Sequence, residues 1–449
     1  MTGAMVLSLA ACGESGDAGN TASTGSTGTT ETGSTETGST EGGATAAAAD
    51  GVTIDTYEGE LDMWCIATES DSNRHSYEAA IADLAEKYPN ITLKWEAFEN
   101  QSYKTKIKSA VQADEMPDIF FTWSCAFLQD FVEAGKVYCL DEAYKDYASE
   151  LPESMLGNST YNGSHYGVPL TMNIVGLFAN MDLLKSVGYD EIPGTYDEFI
   201  ACCDALKAAN IIPFGCAGKE TWCVTEYLES VIEKSVGADA LNDIFLGRAT
   251  WNNADVAAAV DTFQGLVTNG YFDPNGIALS NDEVKANFMD GKYAFYMNGT
   301  WNCADFAGNE DFKDKVKVAE FPVINSDKAQ LGQLIGGPSD TLAVAATGTH
   351  NVPAVSAKYC FELGKLICHY GYLDGCGLPA WTPYGDTSAV NPLTQTVAEI
   401  CGKANGYVLF GDTAMNADDA NTYLSYVDLV YGCDVNGQEF IEGLANDIR

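Results

Sequence analysis

Between residues 61 and 123 short apolar runs alternate with helical patterns, and this alternation restricts the fold more than any other feature of the chain. Residues 61–67 (LDMWCIA) are a short apolar run followed by a break, the pattern of a buried strand. Residues 76–88 set Tyr77, Ala80, Ile81, Leu84 and Ala85 on one helical face, and Pro89-Asn90 closes that helix. Ile91, Leu93, Trp95 and Ala97 alternate through 91–98 as a second strand. A helical pattern over 103–112 and then Pro117-Asp118 lead into a third strand at 119–121. Strand–helix–strand–helix–strand order predicts an α/β fold with a mostly parallel sheet covered by helices. Ligands of such sheets sit beyond the carboxyl ends of the strands. Those ends carry Thr68-Glu69-Ser70 and Thr122-Trp123-Ser124.

A chain of 449 residues exceeds what one hydrophobic core organises, so two lobes are expected. Acidic residues number 64 against 23 basic ones, a formal charge of −41. A surface that negative repels phosphate backbones and anionic headgroups, which argues against a nucleic-acid partner; solubility is the plain reading of it. No stretch approaches the roughly 18 to 20 apolar residues that span a bilayer, so any membrane attachment must be at an end.

The 14 cysteines are scattered, with no CxxC pair and no zinc-finger spacing, so no structural metal site is expected. Most sit among apolar neighbours, as in Trp64-Cys65-Ile66, and read as buried thiols acting as small hydrophobes. So many free thiols in an exported chain suggest a reducing habitat, although a Cys216–Cys223 disulfide stays open at this level. His75, His165, His350 and His369 are not spaced as metal ligands. GxSxG, HExxH and GxxxxGK[ST] are all missing, and no cofactor is expected.

The first twelve residues, MTGAMVLSLAAC, run from a short apolar stretch into small residues, like the tail of an export signal. Leu9-Ala10-Ala11-Cys12 resembles the bacterial lipobox, although no Lys or Arg precedes the apolar run. That resemblance implies cleavage before Cys12, diacylglycerol on its sulfur and a stable two-chain anchor at the external face of the cytoplasmic membrane. Residues 13–50 are almost wholly Gly, Ser, Thr, Ala, Glu and Asp, a composition that cannot bury enough apolar surface to fold. As a flexible coil this tether would span roughly 30 to 35 Å.

Five ordered segments carry a second resemblance: MPDIFFTW; Tyr166-Gly167-Val168-Pro169 followed by LFANMDLL; IPGTYDEFIACCDALKAANIIPF; FMDGKYAFYMNGTW; and Gly336-Gly337 before an apolar run. Over about residues 58–449 the chain resembles the extracellular solute-binding proteins of carbohydrate ABC importers, the group that includes maltose-binding protein. The third segment is similar to the family's P-x-T-W-D-E-F helix, with Tyr196 in the Trp place. The resemblance implies a periplasmic-binding-protein-like fold of two α/β lobes, hinge crossovers and an interlobe cleft. By that template the first lobe takes 51–171 and 340–377, and the second takes 172–337 and 378–449. It also implies a monomer that closes on its ligand and is read by the importer's permease subunits.

A pyranose offers an apolar C–H face to aromatic rings and a hydroxyl edge to carboxylates and amides. Matching the family segment by segment names Glu69 and Trp123 from the first lobe and Asn173 at the first crossover. From the second lobe come Glu220, Trp222 and Trp301; Gly337 and Trp381 lie near the later crossovers. Each has a plainer alternative: a Trp is more often core than platform, and Glu69 could begin or cap the next helix. Trp64 and Trp95 read as core, Trp251 as packing at a helix start, and Asp118 and residues 196–200 as structural. The expected role is capture of a neutral di- or oligosaccharide, without catalysis. Its rivals are a secreted sugar-processing hydrolase, which needs two carboxyl groups about 5 Å apart, and a binder of peptides or polyamines, which would use carboxylates and an aromatic box.

Overall fold

The structure is a computed structural model that describes residues 52–448. Cys12 and the 13–50 segment lie outside the described residues.

The predicted alternation is present. Strands Gly59–Cys65, Ile91–Ala97 and Ile119–Trp123 are separated by helices Arg74–Lys87 and Asn100–Ala113. Leu61, Met63 and Cys65 point inward at every second residue while the positions between them are half-buried. These strands are parallel, with Leu61 opposite Leu93 and Met63 opposite both Trp95 and Ile119. The sheet then departs from the expected parallel pattern. Asp340–Val344 joins Ile119–Trp123 antiparallel, and Val168–Pro169 joins it antiparallel in turn. A chain that comes back from a second sheet needs no helical crossover, so it can pair in the opposite direction. Trp64 and Trp95 pack against this core, but neither is fully buried. Lys106 Nζ lies 3.8 Å from the Trp64 ring centroid, and the Arg74 guanidinium lies 4.3 Å from that of Trp95.

A second sheet is ordered Gly406–Val408, Gln333–Gly337, Thr171–Asn180, Tyr293–Gly299, Ile212–Gly215. Its spine, Thr171–Asn180, also pairs with Val316–Ala319 and Leu378–Pro379. Gly336 has φ 128°, and a Cβ there would stand 2.3 Å from the Asn173 carbonyl oxygen, so only glycine lets these two backbones meet. The chain passes between the sheets at Leu170 and at Pro338-Ser339. Side chains cap two helices of the second lobe. Asn180 accepts from the Asp182 and Leu183 amides, and Thr195 accepts from the Glu198 amide to start helix Tyr196–Ala208.

Separate apolar clusters fill the two lobes, one around Tyr103, Phe120 and Phe361, the other around Phe199, Phe214 and Phe295. Helix Thr221–Val236 runs through the second lobe and is buried on all sides from Cys223 to Val236. Cys65 through Cys433 are all free thiols among the described residues, and Cys216 and Cys223 are not bonded to each other. Asp118 accepts from the Asp62 and His350 amides and faces His350 Nδ1 at 2.7 Å, so it ties strands and loop together.

Candidate functional site

A cleft of about 560 Å³ lies where strand ends from both sheets converge. On one side Ile66, Glu99 and Trp123 follow or end the three parallel strands. On the other, Trp222 follows Ile212–Gly215, Trp301 follows Tyr293–Gly299, and Phe410 follows Gly406–Val408. Trp301 stands 6.1 Å from Trp222 and 6.3 Å from Phe410 between ring centroids, each pair tilted by 55°. Gly299 makes room for this wall, because a Cβ on it would lie 2.1 Å from the Trp301 ring. Across the cleft Trp123 is held edge-on by Phe121 and Phe127, and Lys104 Nζ lies 4.8 Å from its ring centroid.

The residues singled out from sequence separate into two groups. Trp123, Glu220, Trp222 and Trp301 line one cleft. Glu69 is exposed and lies between the lining residues Thr68 and Ser70 without lining the cleft itself. Asn173 is buried beneath the cleft. Its Nδ2 donates to Thr171 Oγ1 and the Cys376 carbonyl, and its Oδ1 accepts from Thr300 Oγ1 at 3.0 Å. Gly337 pairs with Asn173 in the second sheet. Trp381 is 3% exposed; its indole donates to the Pro169 carbonyl at 2.9 Å and it packs on Tyr147 and Phe361. Trp251 lies in the second core against Tyr423 and Phe245.

Several lining residues carried no sequence signal strong enough to single them out: Asp71, Lys104, Glu226, Asn302, Phe410 and Asp412. Phe410 and Asp412 lie just past the end of the strand at 406–408, where ligand contacts are expected, and could have been found on that ground. Lys104 and Glu226 could not, since each is one polar residue on an otherwise ordinary helix.

Charge in the cleft is mostly acidic and mostly held. Lys104 Nζ is 2.9 Å from Asp412 Oδ2, Lys285 Nζ is 2.6 Å from Asp305 Oδ2, and Ser72 Oγ donates to the same Asp305 oxygen at 2.9 Å. Burial and the neighbouring Asp71 charge push the Asp340 carboxyl up to about 7. Burial raises Glu220 as well, although its Oε1 accepts from the Asn281 amide at 3.2 Å. Burial, with Glu229 and Asp412 close by, holds Glu226 well above the usual carboxylate range. Among the described residues no group of three or more His, Cys, Asp or Glu side chains is arranged to hold a metal ion.

The bacterial extracellular solute-binding protein family model matches residues 69–357, which takes in strands of both sheets and most of the residues that line the cleft. The chain belongs to that family. This membership sets it outside the cytoplasm as a binder of solutes, and the two-lobed α/β fold is that of its structural relatives. One is a protein solved in work on xylan utilization by the thermophilic bacterium Caldanaerobius polysaccharolyticus. It is 30% identical, with a TM-score of 0.83 over 87% of this chain and 100% of that one. A chitin oligosaccharide binding protein, 22% identical, superposes with a TM-score of 0.79 over 87% of this chain and 98% of its own. By sequence, the multiple sugar-binding protein of Streptococcus mutans is 24% identical over 322 residues, 70% of this chain and 74% of that protein. No described helix is long and apolar enough to cross a membrane.

Proposed function

We propose that this solute-binding protein captures a neutral di- or oligosaccharide outside the cell and delivers it, chemically unaltered, to the permease subunits of an ABC importer. The observation that carries this reading is the pairing in one cleft of aromatic rings from both lobes with amide, hydroxyl and carboxyl groups. Rings cover the apolar faces of sugars, and the polar groups meet their hydroxyls. Trp123, Trp222 and Trp301 are the stacking candidates and Glu220 a hydroxyl partner. The descriptions of the relatives, which name xylan utilization, chitin oligosaccharide and multiple sugars, support the same ligand class. The lobes would meet near residues 171, 337–340 and 377, and the protein would act as a monomer. Cys12 would carry the lipid that holds it at the outer face of the membrane.

A cationic ligand is the second reading, favoured by the carboxyl groups that outnumber Lys104, Lys219 and Lys285 around the cleft. A thermal-shift screen of neutral glycans, polyamines and peptides separates the two, because a true ligand raises stability by mass action. Neutral oligosaccharides raise the melting temperature if the first reading holds; stabilisation by polyamines or peptides alone overturns it. Recovery of the stabilising glycan uncleaved after incubation separates a binder from a hydrolase.

A further inference from the structure

Helix Thr221–Val236 carries three buried carboxyl groups, and they differ in how they are satisfied. Glu229 Oε1 accepts from the Tyr423 hydroxyl and the Gly411 amide, and Glu233 Oε2 lies 3.2 Å from Lys234 Nζ, while the second oxygen of each has no partner. Glu226 is 1% exposed; the Gly299 amide lies near its carboxyl but donates to Asn298 Oδ1 at 2.9 Å, and neither Glu226 oxygen has a hydrogen-bond partner of its own. Three more polar atoms on residues of the same cleft are equally unpaired, Asn100 Oδ1 among them. The Trp222 indole nitrogen is buried without an acceptor. Asn302, 1% exposed, spends its Nδ2 on Asn298 Oδ1 at 2.8 Å and the Gly299 carbonyl at 3.0 Å. That fixes the amide orientation and leaves Oδ1 as an acceptor with nothing to accept. Buried polar groups are almost always paired, so orphaned atoms on four residues that line one cavity call for a partner from outside the chain.

We propose that Trp222 Nε1, Glu226 and Asn302 Oδ1 form the floor of the cleft, hydrogen-bonding neighbouring hydroxyls of a single sugar unit, with Glu226 as the specificity-determining group. The proposal rests on the glycan reading above and goes further by naming the atoms that select hydroxyls. The indole gives a donor only and Asn302 Oδ1 an acceptor only, so the matching group must do both, as a hydroxyl does. An ammonium donates only and leaves the indole N–H unpaired; a phosphate accepts only and leaves Asn302 Oδ1 unpaired. The charged groups around Glu226 are Glu229 on its own helix and Asp412 on Gly411–Ala414, which Lys104 pairs from the other lobe. That setting favours the protonated carboxyl, the form that presents both an O–H and a C=O to the ligand. Glycans deoxygenated or O-methylated at the unit reaching this floor bind more weakly, because they leave the same atoms orphaned.

The test is titration calorimetry with xylo-, chito- and malto-oligosaccharides on the full chain, comparing wild type, Glu226→Leu and Glu226→Gln, with melting temperatures of the ligand-free proteins alongside. Glu226→Leu is expected to lose at least about tenfold in affinity while melting no lower than wild type, since it removes an unpaired buried group. Glu226→Gln, which retains a donor and an acceptor, recovers affinity to within about threefold of wild type. Wild-type affinity in Glu226→Leu overturns the floor and leaves the glycan reading intact. A loss in Glu226→Gln as large as in Glu226→Leu also overturns it, since an ionised carboxylate would then be what binds. Failure of every oligosaccharide to bind wild type sinks the glycan reading first, and the floor with it.

Discussion

Lys104 reaches from one lobe to the other. Its ammonium lies 2.9 Å from Asp412 Oδ2 and 4.8 Å from the centroid of the Trp123 ring. The helix that carries Lys104 packs into the first core through Tyr103 and Ile107, whereas Asp412 sits beside Phe410 and Ala414 of the second. Both side chains are largely buried, at 21% and 10% exposure, so the pair is screened less than a surface bridge. One residue therefore joins a cleft aromatic, an acid and the closure of the two lobes.

Replacing Lys104 with Ala leaves Asp412 uncompensated beside Glu226 and Glu229, and lobe closure loses a contact. Ligand affinity is expected to fall by about 1–2 kcal/mol, mainly through faster dissociation. Stopped-flow release with saturating glycan measures this. An unchanged off-rate would show that the bridge does not hold the lobes together.

Trp301 and Gly299 make a linked pair of predictions. Trp301→Ala removes the middle ring of the wall and should cost on the order of 1–3 kcal/mol of binding, the scale of ring stacking on nucleobases. Gly299→Ala leaves every ring in the chain but drives a methyl group into Trp301, 2.1 Å away. The backbone there has φ −61°, which alanine adopts without strain, so any effect is local to the ring. Both variants should weaken glycan binding in calorimetry, and normal binding by Gly299→Ala would mean that the ring's position is unimportant.

Asn173 acts on stability. It joins Thr171, Thr300 and the Cys376 carbonyl, three chain segments that meet beneath the cleft. Asn173→Ala strands those buried groups and should cost about 1–3 kcal/mol of folding free energy by urea denaturation. A normal unfolding midpoint combined with lost binding would argue instead for direct ligand contact.

The Asp340 carboxyl predicts a pH dependence with a definite sign. Its value in the folded protein, about 7, is raised above the unfolded one near 4. Folding therefore favours the protonated form. The contribution is complete below the unfolded value and is lost as pH rises through about 7. The ligand-free protein should melt higher at pH 5 than at pH 8, and Asp340→Asn should remove about 1–3 °C of that difference. Overall charge repulsion also relaxes on acidification, so the comparison with the Asn variant decides the assignment. Identical slopes for the two proteins would exclude Asp340 as a source.

Much of the first sheet was legible because its residues interact locally. Alternating apolar positions at 91–98 and the helix stops near Pro89 and Pro117 act over a few residues, and the strand ends followed from them. Thr195 and Asn180 cap their helices through bonds of the same short reach, two or three residues along the chain. The antiparallel return of Asp340–Val344 was not legible, because nothing near residue 340 records which distant strand it will join. Trp381 and Trp123 show the same limit. Both are tryptophans near strand ends, yet one is sealed against Phe361 and the other borders the cleft.

Element order from residue 61 to 123 was written in the chain's own periodicity, while the two lobes and the cleft aromatics followed from chain length and from the ordered segments that resemble the solute-binding family. Which polar atoms end up buried without partners was decided only when two sheets and a fully buried helix came together. Side-chain satisfaction depends on neighbours far away in sequence, and Glu226 looks like any helical glutamate until Trp222, Asn302 and Asp412 surround it.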